Sequence, residues 1–223
     1  MIETPTTLIL GAGASKDYGF PLGKELVEEI LDNLENPKPQ GIYWMLDQLG
    51  HSDGNELGEF ATNLRRSCLD SIDEFLSKQP RFIELAKKCI AYVLIPYEDP
   101  NITRAEGWYR YLVNRLFSEI KKHHFRFNNL SIITFNYDRS FEYYLYGSFR
   151  GTFDANDAEA TQALDFIDII HVYGQLARLG GTGSDSRVYD PTLSPESVRR
   201  AAGQIVSGPG LSLTRGKSED IER

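Results

Sequence analysis

Three short aliphatic runs limit what this chain can fold into. They are Leu8-Ile9-Leu10, then Leu130-Ser131-Ile132-Ile133-Thr134-Phe135, then Ile167-Asp168-Ile169-Ile170-His171-Val172. The chain between them is spaced mostly as helix. Strands that alternate with helices pair in parallel, because each crossover must bring the chain back to the same end of the sheet. The expected class is α/β, with a Rossmann-like, mostly parallel sheet. About 120 residues separate the first run from the second, which calls for a helical insertion between the first and second core strands.

The helical reading rests on period. Leu22, Leu26, Ile30, Leu31 and Leu34 form a stripe over residues 22–35, and Asn36-Pro37-Lys38-Pro39 ends it. Residues 40–125 read as almost wholly helical. A short segment covers 41–49, and longer helices are expected over 56–77, 80–94 and 105–122, with a break at 96–100. A helix over 139–146 follows the second strand. The Gly-, Ser-, Thr- and Asp-rich stretch 180–194 reads as loop, and 195–202 as a short helix. The expected organisation is a discontinuous core of residues 1–35 and 126–207, a helical insertion or cap over 36–125, and a poorly ordered tail over 208–223.

Bulk properties exclude some partners. A net charge of −8 disfavours contact with a nucleic-acid backbone. No run approaches the roughly 18 apolar residues that a membrane span needs. Glu3 and the short apolar stretch after it do not make a leader, so a cytoplasmic protein is expected. Cys68 and Cys89 are too few for a zinc site. Both fall in helical patterns and are expected to be buried, reduced thiols.

The three strands end in unusual polar sequence. The first runs into Gly11-Ala12-Gly13-Ala14-Ser15, the second into Phe135-Asn136-Tyr137-Asp138, and the third into His171-Val172-Tyr173-Gly174-Gln175. In parallel sheets ligands lie outside the carboxyl ends of the strands. Glycines there let a phosphate approach the backbone, and a following helix offers free N–H groups. Lys16 stands where the full dinucleotide motif has its third glycine, and no Walker lysine follows. Asp32 and Glu35 stand near the place of a ribose-binding acid, but they fit the solvent face of a helix. Asn136 and Asp138 also fit helix caps, and a histidine at a strand end is commonly structural.

Taken together, these three strand ends resemble the sirtuin-like superfamily. Its members share a Gly-Ala-Gly-x-Ser turn, which matches Gly11 to Ser15, and an Asn-x-Asp after a core strand, which matches Asn136-Tyr137-Asp138. They also carry a histidine near a glycine at a later strand end, which matches His171 and Gly174. Gly19-Phe20-Pro21 is similar to the Gly-Ile-Pro that follows the first turn. The resemblance covers roughly residues 6–176. Leu22-Gly23-Lys24 replaces the Asp-Phe-Arg of the deacylases, the four-cysteine zinc module is missing, and Tyr173 occupies the position just before Gly174. The pattern is most similar to the sirtuin-like domains of prokaryotic antiviral systems, which hydrolyse NAD+.

That resemblance implies NAD+ as substrate, no metal, and an effector role in antiviral defence through NAD+ depletion. It implies catalytic roles for Asn136, His171 and Asp138. It implies cofactor contacts from Gly11, Ala12, Gly13, Ala14, Ser15, Phe20, Pro21, Asn136, Tyr137 and Gly174. A homo-oligomer or a defence partner protein is left open. Cleaving the nicotinamide–ribose bond releases neutral nicotinamide and builds positive charge on the ribose. Asn136 can orient hydroxyls or water, Asp138 can favour the cation, and His171 can accept a proton near neutrality. The competing expectations are an NAD-dependent protein deacylase and a non-catalytic sensor of NAD+ or ADP-ribose.

Overall fold

A computed structural model describes residues 1–181 and 183–206. Among these residues the fold is mixed α/β with an open, three-stranded parallel sheet, compatible with a Rossmann-like fold. The strands β1 (Thr6–Leu10), β2 (Leu130–Thr134) and β3 (Asp168–His171) lie side by side in sequence order. Ile9, Ile133 and Ile170 fall in one row across the sheet, and Leu8, Ile132 and Ile169 fall in the next.

Helices fill the chain from β1 to β2: α1 (Gly13–Lys16), α2 (Gly23–Glu35), α3 (Ile42–Gln48), α4 (Gly54–Ser67), α5 (Ile72–Lys78), α6 (Ile83–Leu94) and α7 (Trp108–Phe117). After β2 come α8 (Ser140–Phe153) and α9 (Asp157–Leu164), and α10 (Pro195–Gln204) follows β3. The start of α2 is held by the Glu25 carboxylate, which accepts the Leu22 N–H at 2.7 Å.

Two apolar clusters form. Residues of α2 to α6 pack with Tyr137, Leu176 and the apolar face of α10. Residues of α7, α8 and α9 pack on the face of the sheet that carries Leu8, Leu10, Leu130, Ile132 and Ile169. The opposite face carries the isoleucine row and belongs to neither cluster. Ile9 is 71% exposed there. That is unusual for parallel strands, whose two faces are commonly both covered.

Several expectations change. The helix expected over 56–77 is two helices, parted at Cys68, whose left-handed backbone (φ 52°) ends α4 before the Ser71 side chain caps α5. Cys68 is therefore exposed, not buried. Cys89 is buried in α6, and burial raises its thiol pKa. The helix expected over 105–122 stops at Phe117. The helix expected over 139–146 runs on to Phe153, and α9 then starts at a reciprocal Asn156–Glu159 cap. The tail expected over 208–223 lies outside the described residues. No helix among the described residues is long and apolar enough to cross a membrane.

Candidate functional site

The carboxyl ends of β1, β2 and β3 meet at a small internal cavity of about 10 Å³. Its lining includes Ser15, Tyr109, Thr134, Asn136, Asp138, Glu142 and His171. That is room for about one water molecule. Register places the polar groups: Leu10, Thr134 and His171 form the last row across the sheet, and alternation turns all three toward α7 and α8.

Asn136 is the centre of the arrangement. It is 8% exposed. Its backbone N–H donates to Thr134 Oγ1 at 3.1 Å, and its Nδ2 donates to Ser15 Oγ at 3.0 Å. Its Oδ1 is buried and has no partner among the described residues. With Nδ2 on Ser15, the other end of the amide, Oδ1, is left unpaired. An orphaned buried acceptor is costly and needs a reason.

Asp138 is buried at the start of α8. Its Oδ1 accepts from Ser140 N–H at 3.1 Å and from the Ser140 hydroxyl. Burial raises its carboxyl pKa above the usual range, while the bonds from Ser140 and Ser15 act against that shift. Tyr109 reaches in from α7. Its hydroxyl lies 2.7 Å from Ser140 Oγ and 3.4 Å from Ser15 Oγ, and burial raises its pKa. Asp138 therefore accepts the first N–H of α8 from just before the helix, and it also anchors the Ser140 hydroxyl, which Tyr109 links toward Ser15 and Asn136.

His171 is held at both ring nitrogens. Nδ1 lies 2.8 Å from the backbone oxygen of Asn136, and Nε2 lies 2.6 Å from Glu142 Oε1. Burial works against its charge. The Glu142 carboxylate, its hydrogen bond, the Asn136 carbonyl and Asp138 outweigh burial and raise its pKa. Glu142 was not singled out in the sequence. The available signal was its spacing, one helical turn after Asp138, as the lone acid among Phe141, Tyr143, Tyr144 and Tyr146.

The glycine turn sits at the mouth of the same end of the sheet. Gly11 and Gly13 are exposed, neither has a positive φ, and a Cβ on either meets nothing within 4 Å among the described residues. The turn closes through Ala14 N–H to Gly11 O at 2.8 Å, and Trp108 Nε1 donates to Ala14 O at 2.8 Å. Ala12 is half-buried beside them. The helix that follows is only the single turn α1, and the longer helix α2 starts eight residues after Ser15.

The other expected contacts face elsewhere. Phe20 is buried in the helical cluster beside Tyr97. Pro21 lines an acidic surface groove with Lys16, Glu25, Glu28, Glu29, Asp32 and Tyr97. Tyr137 turns away from the cavity and donates its hydroxyl to Asp73 Oδ1 at 2.5 Å. Gly174 (φ 71°) lies against the end of α10, where a Cβ would stand 2.0 Å from the Gln204 carbonyl oxygen. Glu35 pairs with Arg65, and Asp32 accepts from Asn36.

One buried ion cluster borders the site. Arg139, next to Asp138, donates to Glu98 through Nε at 2.8 Å and Nη2 at 3.1 Å. Its remaining N–H groups reach the carbonyls of Ala177, Arg178, Arg187 and Val188. Arg187 donates to the same Glu98 carboxylate. No group of three or more His, Cys, Asp or Glu among the described residues is arranged to hold a metal ion. Comparison with protein-family models, curated proteins and solved structures finds no match to this chain.

Proposed function

We propose that this protein hydrolyses the nicotinamide–ribose bond of NAD+ to nicotinamide and ADP-ribose. The observation that carries this reading is the unpaired Oδ1 of Asn136, buried in a cavity that Asp138, Glu142 and His171 also line. An acceptor left without a partner suits a hydroxyl or water that arrives with a ligand. The reaction builds positive charge on the ribose, and the Asp138 carboxylate borders the space where that charge would be stabilised. Nicotinamide departs neutral, so no strong general acid is required.

The glycine turn supports the same reading. The internal packing does not call for glycine at Gly11 or Gly13, and the space before them is open. A pyrophosphate there could approach the backbone closely. The cavity is far smaller than a dinucleotide, so this reading requires its polar end to open when NAD+ binds. In the cell the outcome would be loss of NAD+, which fits the defence role implied by the resemblance.

A second reading is a non-catalytic sensor of NAD+ or ADP-ribose. It is favoured by His171, whose two ring nitrogens are both engaged within the protein. One assay separates the two. The protein is incubated with NAD+ alone over a range of protein concentrations and nicotinamide is measured. Release without an acylated peptide, reduced at least tenfold in Asn136→Ala and in His171→Ala, is expected. Binding of NAD+ by calorimetry with no release at any concentration replaces the hydrolase by the sensor.

A further inference from the structure

We propose that Glu142 is the positioning residue of this site: its carboxylate sets the His171 ring and holds a proton at Nε2, so that the two side chains work as one unit of zero net charge. The role in catalysis rests on the hydrolase reading above, while the pairing itself rests on geometry.

The proton inventory carries the argument. Nδ1 faces a backbone carbonyl, which can only accept, so Nδ1 bears a hydrogen. Nε2 then faces a carboxylate oxygen at 2.6 Å. One proton lies between those two atoms whichever of them holds it. The pair therefore carries no net charge. A neutral ring alone would carry one hydrogen and leave Nε2 as a free base. Here Nε2 has no such freedom unless Glu142 moves or gives up the proton.

The surroundings keep the pair isolated. From α8 and the turn before it, His171 faces Glu142 and Asp138. From α7 it faces Tyr109, whose phenol is neutral at physiological pH. From β1 and β2 the cavity is lined by Leu10, Ile132 and Thr134, with Ser15 and Asn136 beyond the strand ends, none of them charged. Removing the Glu142 charge would leave the ring with Asp138 as its nearest acid. Any imidazolium then formed would oppose the cation that develops on the ribose. In a buried site such a clash is weakly screened.

The sequence carries four histidines, so the ring can be followed singly by 15N NMR, with His171→Gln identifying its signals. The titration is read without NAD+. In the wild type, His171 is expected to keep both ring hydrogens to a pH above the ordinary midpoint of about 6.5. In Glu142→Gln the midpoint should fall by at least one pH unit. Nicotinamide release by that variant should drop at least tenfold, and it should drop further below pH 6 than above pH 7 (about one unit to either side of an ordinary histidine). Glu142→Asp, which keeps the charge on a shorter arm, should recover part of both. If Glu142→Gln fails to fold, the comparison runs between wild type and Glu142→Asp. The same His171 midpoint in every variant overturns the pairing, whatever the activity. A lowered midpoint together with no nicotinamide release from any form upholds the pairing and overturns the hydrolase reading instead.

Discussion

At the scale of single residues, the deciding groups are those whose chemistry is left over once the fold is satisfied. Gly11 and Gly13 are one case, since neither backbone angle nor packing requires glycine at either position. Gly13→Ala should leave stability unchanged or raise it by up to about 1 kcal/mol, because alanine is the better helix former in α1. The same change should weaken NAD+ binding several-fold by calorimetry, since the new methyl group would occupy the open space where the proposed site holds the pyrophosphate. Equal binding by both proteins would remove the turn from the proposed site. Asn136 is the other case. Its type and position were legible in the sequence, because a strand end is where α/β proteins keep polar function. Its orphaned oxygen was not legible, because that depends on Ser15, from another strand end, standing where it takes the Asn136 amide N–H. Glu142 was hidden for a related reason: its partner lies on another element and no local pattern links them.

At the scale of elements, the three strands and their parallel pairing followed from short apolar runs between helical stretches. The errors fell where one local group overruled a periodic pattern. A left-handed Cys68 split one helix, and the Asn156–Glu159 cap began another beyond a glycine-containing stretch. Gly174 belongs to this scale. The resemblance gave it a ligand role, whereas its backbone packs against α10. Gly174→Ala would force a methyl group into the Gln204 carbonyl at a φ that disfavours a side chain. A loss of about 3 kcal/mol or more is expected from strain and overpacking together. Urea unfolding checks it, and a midpoint equal to wild type would show that α10 is not fixed by this contact.

At the scale of the whole molecule, Arg139 joins parts of the chain that are far apart in sequence. It binds Glu98, just past the helical cluster, to the loop that follows β3, and it sits at the start of α8 against the sheet. Arg139→Met would leave the Glu98 carboxylate buried with only Arg187 and the Asp190 N–H as partners. A loss of about 3–5 kcal/mol is expected, read as a lowered thermal midpoint. The double variant Arg139→Met/Glu98→Gln should not recover it, because the buried Arg187 guanidinium then loses its carboxylate partner. Little of this was legible beforehand. An arginine after Asn-Tyr-Asp looks like a surface residue until the loop closes over it. The sheet order carries a further consequence, one of time. Among the described residues β1 pairs only with β2, and about 120 residues separate them. At roughly 5–20 residues per second, a ribosome making this chain delivers β1 on the order of ten seconds before that partner strand exists. For that interval Leu8, Ile9 and Leu10 are apolar and unpaired, and what keeps the newborn chain soluble is how quickly the helices between the two strands collapse around one another.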